Sequence, residues 1–60
     1  MEELLTPTEV AKRLKVEKRT VVEWLRSRQL RGIKLGRLWR IRIRELEDFI
    51  QRHEDGDGRR

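Results

Sequence analysis

The stretch VAKRLKVEKRTVVEWL, residues 10–25, carries the pattern on which the fold turns. Val10, Ala11 and Leu14 recur at i, i+1 and i+4, one stripe of a short amphipathic helix. Val21, Trp24 and Leu25 recur at i, i+3 and i+4, a second stripe. Lys15, Val16 and Glu17 form the turn between them, with Val16 placed to plug the gap. Two short helices joined so tightly make a helix-turn-helix, the first bracing the second.

Upstream, Thr6-Pro7-Thr8-Glu9 is a helix start. Thr6 caps, Pro7 occupies the first helical position where a missing N–H costs nothing, and Glu9 reaches back as the partner of a capping box. Leu5 and Val10 stand where a hydrophobic staple places its two residues. The segment supports a site without being one, and residues 1–5 read as a short lead-in. The first helix is expected over residues 7–14 and the second over 18–28. Glu17 suits the positive end of the second helix's dipole.

At 100° per residue, with the core direction set by Val21, Arg19, Glu23 and Arg26 point away from the core. Lys18 and Val22 flank that outer face on one side, Thr20 and Ser27 on the other. Arg19 and Arg26 can donate bidentately to guanine or to phosphate, and Val22 can meet a thymine methyl. Glu23 either accepts from cytosine N4 or pairs with Arg19 or Arg26 along the helix; the pair is preferred.

Downstream, residues 30–41 read as a β-hairpin. A three-residue loop, Gly36-Arg37-Leu38, would set Leu35 opposite Trp39, Lys34 opposite Arg40 and Ile33 opposite Ile41. Four apolar side chains would then share one face, and both cations the other. A two-residue loop would put Trp39 opposite Lys34 and mix the faces, so the alternation favours three. The expected product is a wing glued to the helices by its apolar side, leaving Lys34, Arg37 and Arg40 free to touch a polyanion. Trp24 and Trp39 invite a base-stacking role, but both fall on apolar sides and read as core. Leu38, at the loop tip, touches a partner or simply lies exposed.

A third helix is expected over residues 44–53, with Leu46, Phe49 and Ile50 inward and Glu45, Glu47 and Asp48 outward. Those acids beside His53 read as a solvated face, since nothing converges there on a metal. Residues 54–60, EDGDGRR, lack an apolar anchor and read as a disordered tail, which leaves residues 1–53 as the domain.

Composition narrows the function. From Lys12 to Arg44 thirteen Lys and Arg face only Glu17 and Glu23, an excess of +11, while the flanks hold three basic and nine acidic residues, −6, giving the chain its +5. Charge so segregated costs stability through self-repulsion, and a polyanionic partner offsets it. With no cysteine and one histidine, a disulfide framework and a thiolate or structural zinc site are excluded, and no cofactor is expected. No apolar run approaches the ~20 residues of a membrane span, and no leader is apparent, so a cytoplasmic location without membrane contact is expected. Sixty residues without a nucleophile–base set do not suggest an enzyme.

Residues 4–50 resemble the excisionase-like branch of the MerR-type winged helix-turn-helix family. The marks are L-T-P-x-E-V-A-x-x-L-x-V, then R-T-V-x-x-W-L, then I-K-L-G-R-L-W-R-I, then L-E-D-F-I, in this order. The resemblance implies a mainly α fold with a small β-hairpin: a helix-turn-helix, a two-stranded wing and a C-terminal helix. It implies a recognition helix over residues 18–28 in the major groove and a wing over 33–41 on neighbouring backbone or minor groove. By matching positions it carries over Lys18, Arg19, Thr20, Glu23, Lys34, Arg37 and Arg40 as contacts. Three departures stand out. Lys15 lies where the family often has glycine, at a cost of about 1 kcal/mol if the turn is left-handed. Glu17 replaces a Ser or Thr cap, and Arg37 replaces a second glycine.

Sequence-specific binding of double-stranded DNA follows, as an architectural factor assisting a site-specific recombinase or as a small transcription regulator. The long dimerising helix of full-length MerR regulators is not seen, so cooperative copies on adjacent sites or a recombinase partner are expected. An adaptor that holds an acidic protein on its basic face is the alternative. RNA is disfavoured because A-form major grooves are too narrow for a helix.

Overall fold

The computed structural model describes the backbone of residues 3–58 and the side chains of residues 3–54. A strand β1 (Leu4–Leu5) leads into helices α1 (Pro7–Leu14) and α2 (Lys18–Arg26). Strands β2 (Ile33–Leu35) and β3 (Leu38–Arg42) follow, and helix α3 (Ile43–Gly58) closes the described chain. The architecture is the winged helix-turn-helix expected, with one strand more: the sheet is three-stranded and antiparallel, ordered β1-β3-β2.

Helix α1 starts as its cap dictates. The Glu9 N–H donates to Thr6 Oγ1 at 3.1 Å, and the Thr6 N–H donates to Glu9 Oε1 at 2.8 Å. Leu5 and Val10, the staple pair, are both buried. The helix ends where Lys15 turns left-handed (φ 58°, ψ 45°). The Lys15 N–H then reaches Lys12 O at 3.3 Å and the Val16 N–H reaches Ala11 O at 3.0 Å, a Schellman closure. Val16, half-buried, packs on the core as the turn plug.

Helix α2 stops at Arg26, two residues short of the expected 28. The same closure ends it: Arg28 takes φ 67°, its N–H donates to Leu25 O at 3.2 Å, and the Gln29 N–H donates to Trp24 O at 2.9 Å. The reversal has a purpose in packing. It drives Leu30, 1% exposed, into the core, which a helix continued through Ser27 and Arg28 would carry past.

The wing has the register that alternation disfavoured. Ile33 pairs with Arg40, Lys34 with Trp39 and Leu35 with Leu38, so the loop is the two residues Gly36-Arg37. Two physical reasons decide it. Gly36 takes φ +64° at the first loop position while Arg37 stays negative, the backbone pattern of tight hairpin turns whose twist suits the strands. And Ile41 needs no partner from β2, because β1 supplies one: Leu5 pairs with Ile41, Leu4 with Arg42. Leu4 and Leu5, within the stretch read as a lead-in, therefore form a structural strand, while residues 1–2 lie outside the described residues. Across from Ile41 the β2 side offers only Gly32, where an added Cβ would lie 2.5 Å from Leu25 Cδ2 and 3.2 Å from Arg40 O. Helix and wing meet there because there is no side chain between them.

The core is Leu5, Val10, Ala11, Val21, Leu25, Leu30, Ile41, Leu46 and Phe49, drawn from every element but β2. Trp24 and Trp39 are half-buried against it rather than at its centre. Trp24 lies 4.9 Å from Phe49, ring centroid to centroid, in a tilted stack. Helix α3 begins one residue early and runs on to Gly58 through most of the stretch read as a tail; residues 59–60 lie outside the described chain. Extending a helix already nucleated adds a hydrogen bond per residue, so an unanchored polar stretch can follow it.

Candidate nucleic-acid interface

At 100° per residue, Lys18, Val22 and Arg26 form a single stripe along α2. That stripe forms one wall of a groove of about 440 Å³ whose other wall is the wing, from Lys34 through Arg40. Five cations line it: Lys18, Arg26, Lys34, Arg37 and Arg40, with no carboxylate among the lining residues. Its neutral lining includes Val22, Leu38 and Trp39. Lys18, Arg26 and Arg37 make no side-chain hydrogen bond or ion pair among the described residues. Cations left without a counter-ion on one concave surface are the electrostatic footprint of an anion site.

Of the nine residues singled out in the sequence, the groove gathers six and leaves three outside. Arg19 and Glu23 stand exposed on the crest of α2, beyond the groove rim, and Thr20 is half-buried on the far flank. Arg19 pairs at 3.9 Å with Glu17, not with Glu23 as preferred above. Both side chains are about 80% exposed, so the pair adds little stability.

The three wing cations are not equivalent, contrary to the expected hairpin. Lys34 and Arg40 branch from opposite faces of the ribbon by register, although both border the groove. The Lys34 ammonium lies 5.3 Å from the Trp39 ring centroid, a cation–π contact. Arg40 donates from Nη1 to its neighbour's carbonyl, Trp39 O, at 2.6 Å. Arg37, at the loop, has no such tether. Trp39 thus serves as a post for two cations rather than as an open stacking platform.

A family model described as a helix-turn-helix domain matches residues 4–54. The chain belongs to this helix-turn-helix family. The match covers both helices, the wing and most of α3, and the family is one of DNA-binding domains. Among curated proteins, none matches the chain.

In this helix-turn-helix domain the basic surface extends further than the motif reading foresaw. A second groove, about 770 Å³, adjoins the first and shares Arg26, Lys34 and Trp39 with it. It adds Arg28, Arg31 and Arg42, with Glu45 as its one acid. Arg28 closes the span expected for the second helix and Arg31 lies beyond it; the left-handed turn at Arg28 brings both beside β2. A sequence signal existed, since both arginines fall in the +11 segment. Thr6, Pro7 and Thr8 also line the first groove, so the segment read as support alone borders the site as well. Among the described residues no cluster of His, Cys, Asp or Glu is placed to hold a metal, and no helix is long and apolar enough to cross a membrane.

Proposed function

We propose that this domain binds duplex DNA sequence-specifically, with the crest of α2 in the major groove and the wing against the adjoining backbone. The observation that carries the reading is the convergence of Lys18 and Arg26 from α2 with Lys34, Arg37 and Arg40 from the wing on one concave surface free of carboxylates. A helix whose crest, at Arg19 and Glu23, lies beyond the rim of that groove fits a B-form major groove and not an A-form one, which favours DNA over RNA. Arg19, Arg26, Val22 and Glu23 are the residues proposed to meet base edges, with Thr20 at the margin. Lys18, Lys34, Arg37 and Arg40 are proposed to meet phosphates.

One helix and one wing span only a few base pairs, too few for tight binding alone. The biological role that suits such a module is an excisionase-like architectural factor working beside a site-specific recombinase, or a small transcription regulator, with several copies on adjacent sites. Selection of binding sites from a random duplex pool, followed by alanine variants, tests the assignment. Arg19→Ala and Arg26→Ala are expected to relax base preference, each well-placed bidentate contact being worth ~1–3 kcal/mol of discrimination. Lys34→Ala and Arg40→Ala are expected to weaken all sequences alike. The reverse pattern would exchange the roles of helix and wing. Failure to enrich any duplex, with tight capture of an acidic protein instead, would favour an adaptor.

A further inference from the structure

The two-residue turn sends alternate wing residues to the side of the sheet opposite the buried Ile41. By register, Ile33, Leu35, Leu38, Arg40 and Arg42 share that side, and Leu4 joins them through its pairing with Arg42. The exposed large hydrophobic side chains among the described residues are Leu4 at 42%, Leu35 at 52% and Leu38 at 55%, and all lie there. Leu35 and Leu38 face each other directly across the turn and form one apolar tip, closed by Gly36 and Arg37. A lone exposed leucine means little, but a matched pair at the end of a basic wing is a different feature. Its occupant must be apolar where the leucines enter and anionic around them, because Arg37 sits in the turn and Arg40 follows on the same side. A duplex base step has that character: flat apolar faces within, phosphates at the rim. A second copy meeting this side symmetrically would set Arg40 against its own counterpart.

We propose that Leu35 and Leu38 together form a wedge that enters the minor groove and partly unstacks one base step, kinking the duplex, while Arg37 and Arg40 engage the flanking phosphates. The proposal rests on the DNA-binding reading above. Leu38 connects the two, since it also lines the groove shared with Lys18, Val22 and Arg26. The tip therefore presents to the same duplex as α2, displaced along it.

The test uses a duplex selected from a random pool, with 2-aminopurine replacing adenine at successive positions and a fluorophore at each end. The intact chain is expected to raise 2-aminopurine emission several-fold at one step and to shorten the end-to-end distance. It should also prefer a duplex carrying a mismatch at that step by about tenfold, unstacking there being already part-complete. The double variant Leu35→Ser/Leu38→Ser, folded by circular dichroism, should bind more weakly and, when saturated with duplex, lose the emission rise, the shortening and the mismatch preference. Arg37→Ala should keep the emission rise while binding more weakly. Binding without unstacking, or unstacking that survives in the double variant, overturns the wedge alone. A double variant that changes only the sedimentation of the free protein overturns it in favour of contact between copies. No binding to any duplex at low salt overturns the wedge and the DNA reading together.

Discussion

The helix-turn-helix and the wing sit side by side on one core, yet they obey different rules. In the helix pair, each boundary but one follows from residues within four positions of it: Thr6 and Glu9 start α1, and Lys15 and Val16 end it. In the wing, pairing depends on distant partners. Ile41 satisfies itself on Leu5, thirty-six positions upstream (41 − 5), and Gly32 admits Leu25 of α2. Local chemistry writes the first region; tertiary contacts write the second. The function proposed needs both, because neither wall of the basic groove is a groove by itself.

That contrast can be broken most severely at the residue belonging to both regions. Ile41 is fully buried and lies under the helices, so Ile41→Ala is expected to cost ~2–5 kcal/mol and, in a domain this small, to unfold wing and helices together. Denaturant melts followed by tryptophan emission and by far-UV circular dichroism should coincide. A wing that melts separately would show it to be an appendage. Gly32→Ala comes next: the new methyl displaces Leu25 and crowds Arg40 O, and a loss of ~1–3 kcal/mol is expected in the same melts.

Gly36 sharpens the comparison without touching packing, for nothing lies within 4 Å of a Cβ added there. Gly36→Ala should cost about 1 kcal/mol through its positive φ alone. Changes of opposite sign are expected in the helix pair. Lys15→Gly and Arg28→Gly relieve left-handed backbone at φ 58° and 67° and should each stabilise by up to ~1 kcal/mol. Arg28→Gly should do so while weakening DNA binding, if the second groove takes phosphate. Glu17, the N-cap of α2, makes no side-chain cap bond, so Glu17→Ser should add ~0.5–1 kcal/mol, read as a small rise in melting midpoint.

How much was visible in the sequence follows the same division. The capping box, the staple, the turn plug and the span of α1 were readable because each is a local pattern. The end of α2 was not, since Arg28 at a left-handed position carries none of the usual glycine signal. The hairpin register was not legible, because alternation predicts it only for a ribbon with one apolar face of its own. Its inner face is served by Trp39 and Ile41 with Lys34 laid across the indole, and its outer face keeps two leucines. Six of nine candidate residues converge on the groove: helical periodicity put Lys18 and Val22 on one flank, and Arg26, read on the outer face, joins them at i+8 and i+4. That the wing would lie on this flank, leaving Thr20 on the other, was a tertiary fact.

The most direct test is the salt dependence of duplex binding by the intact chain, measured by fluorescence anisotropy between low and moderate salt. If Lys18, Lys34, Arg37 and Arg40, the groove cations assigned to phosphates, each displace a counterion, log K should fall against log salt with a slope of about −3.6, at −0.9 per contact. Lys34→Ala or Arg37→Ala should each flatten it by about one. A slope near zero, with binding intact, would mean that the groove does not hold the backbone of DNA.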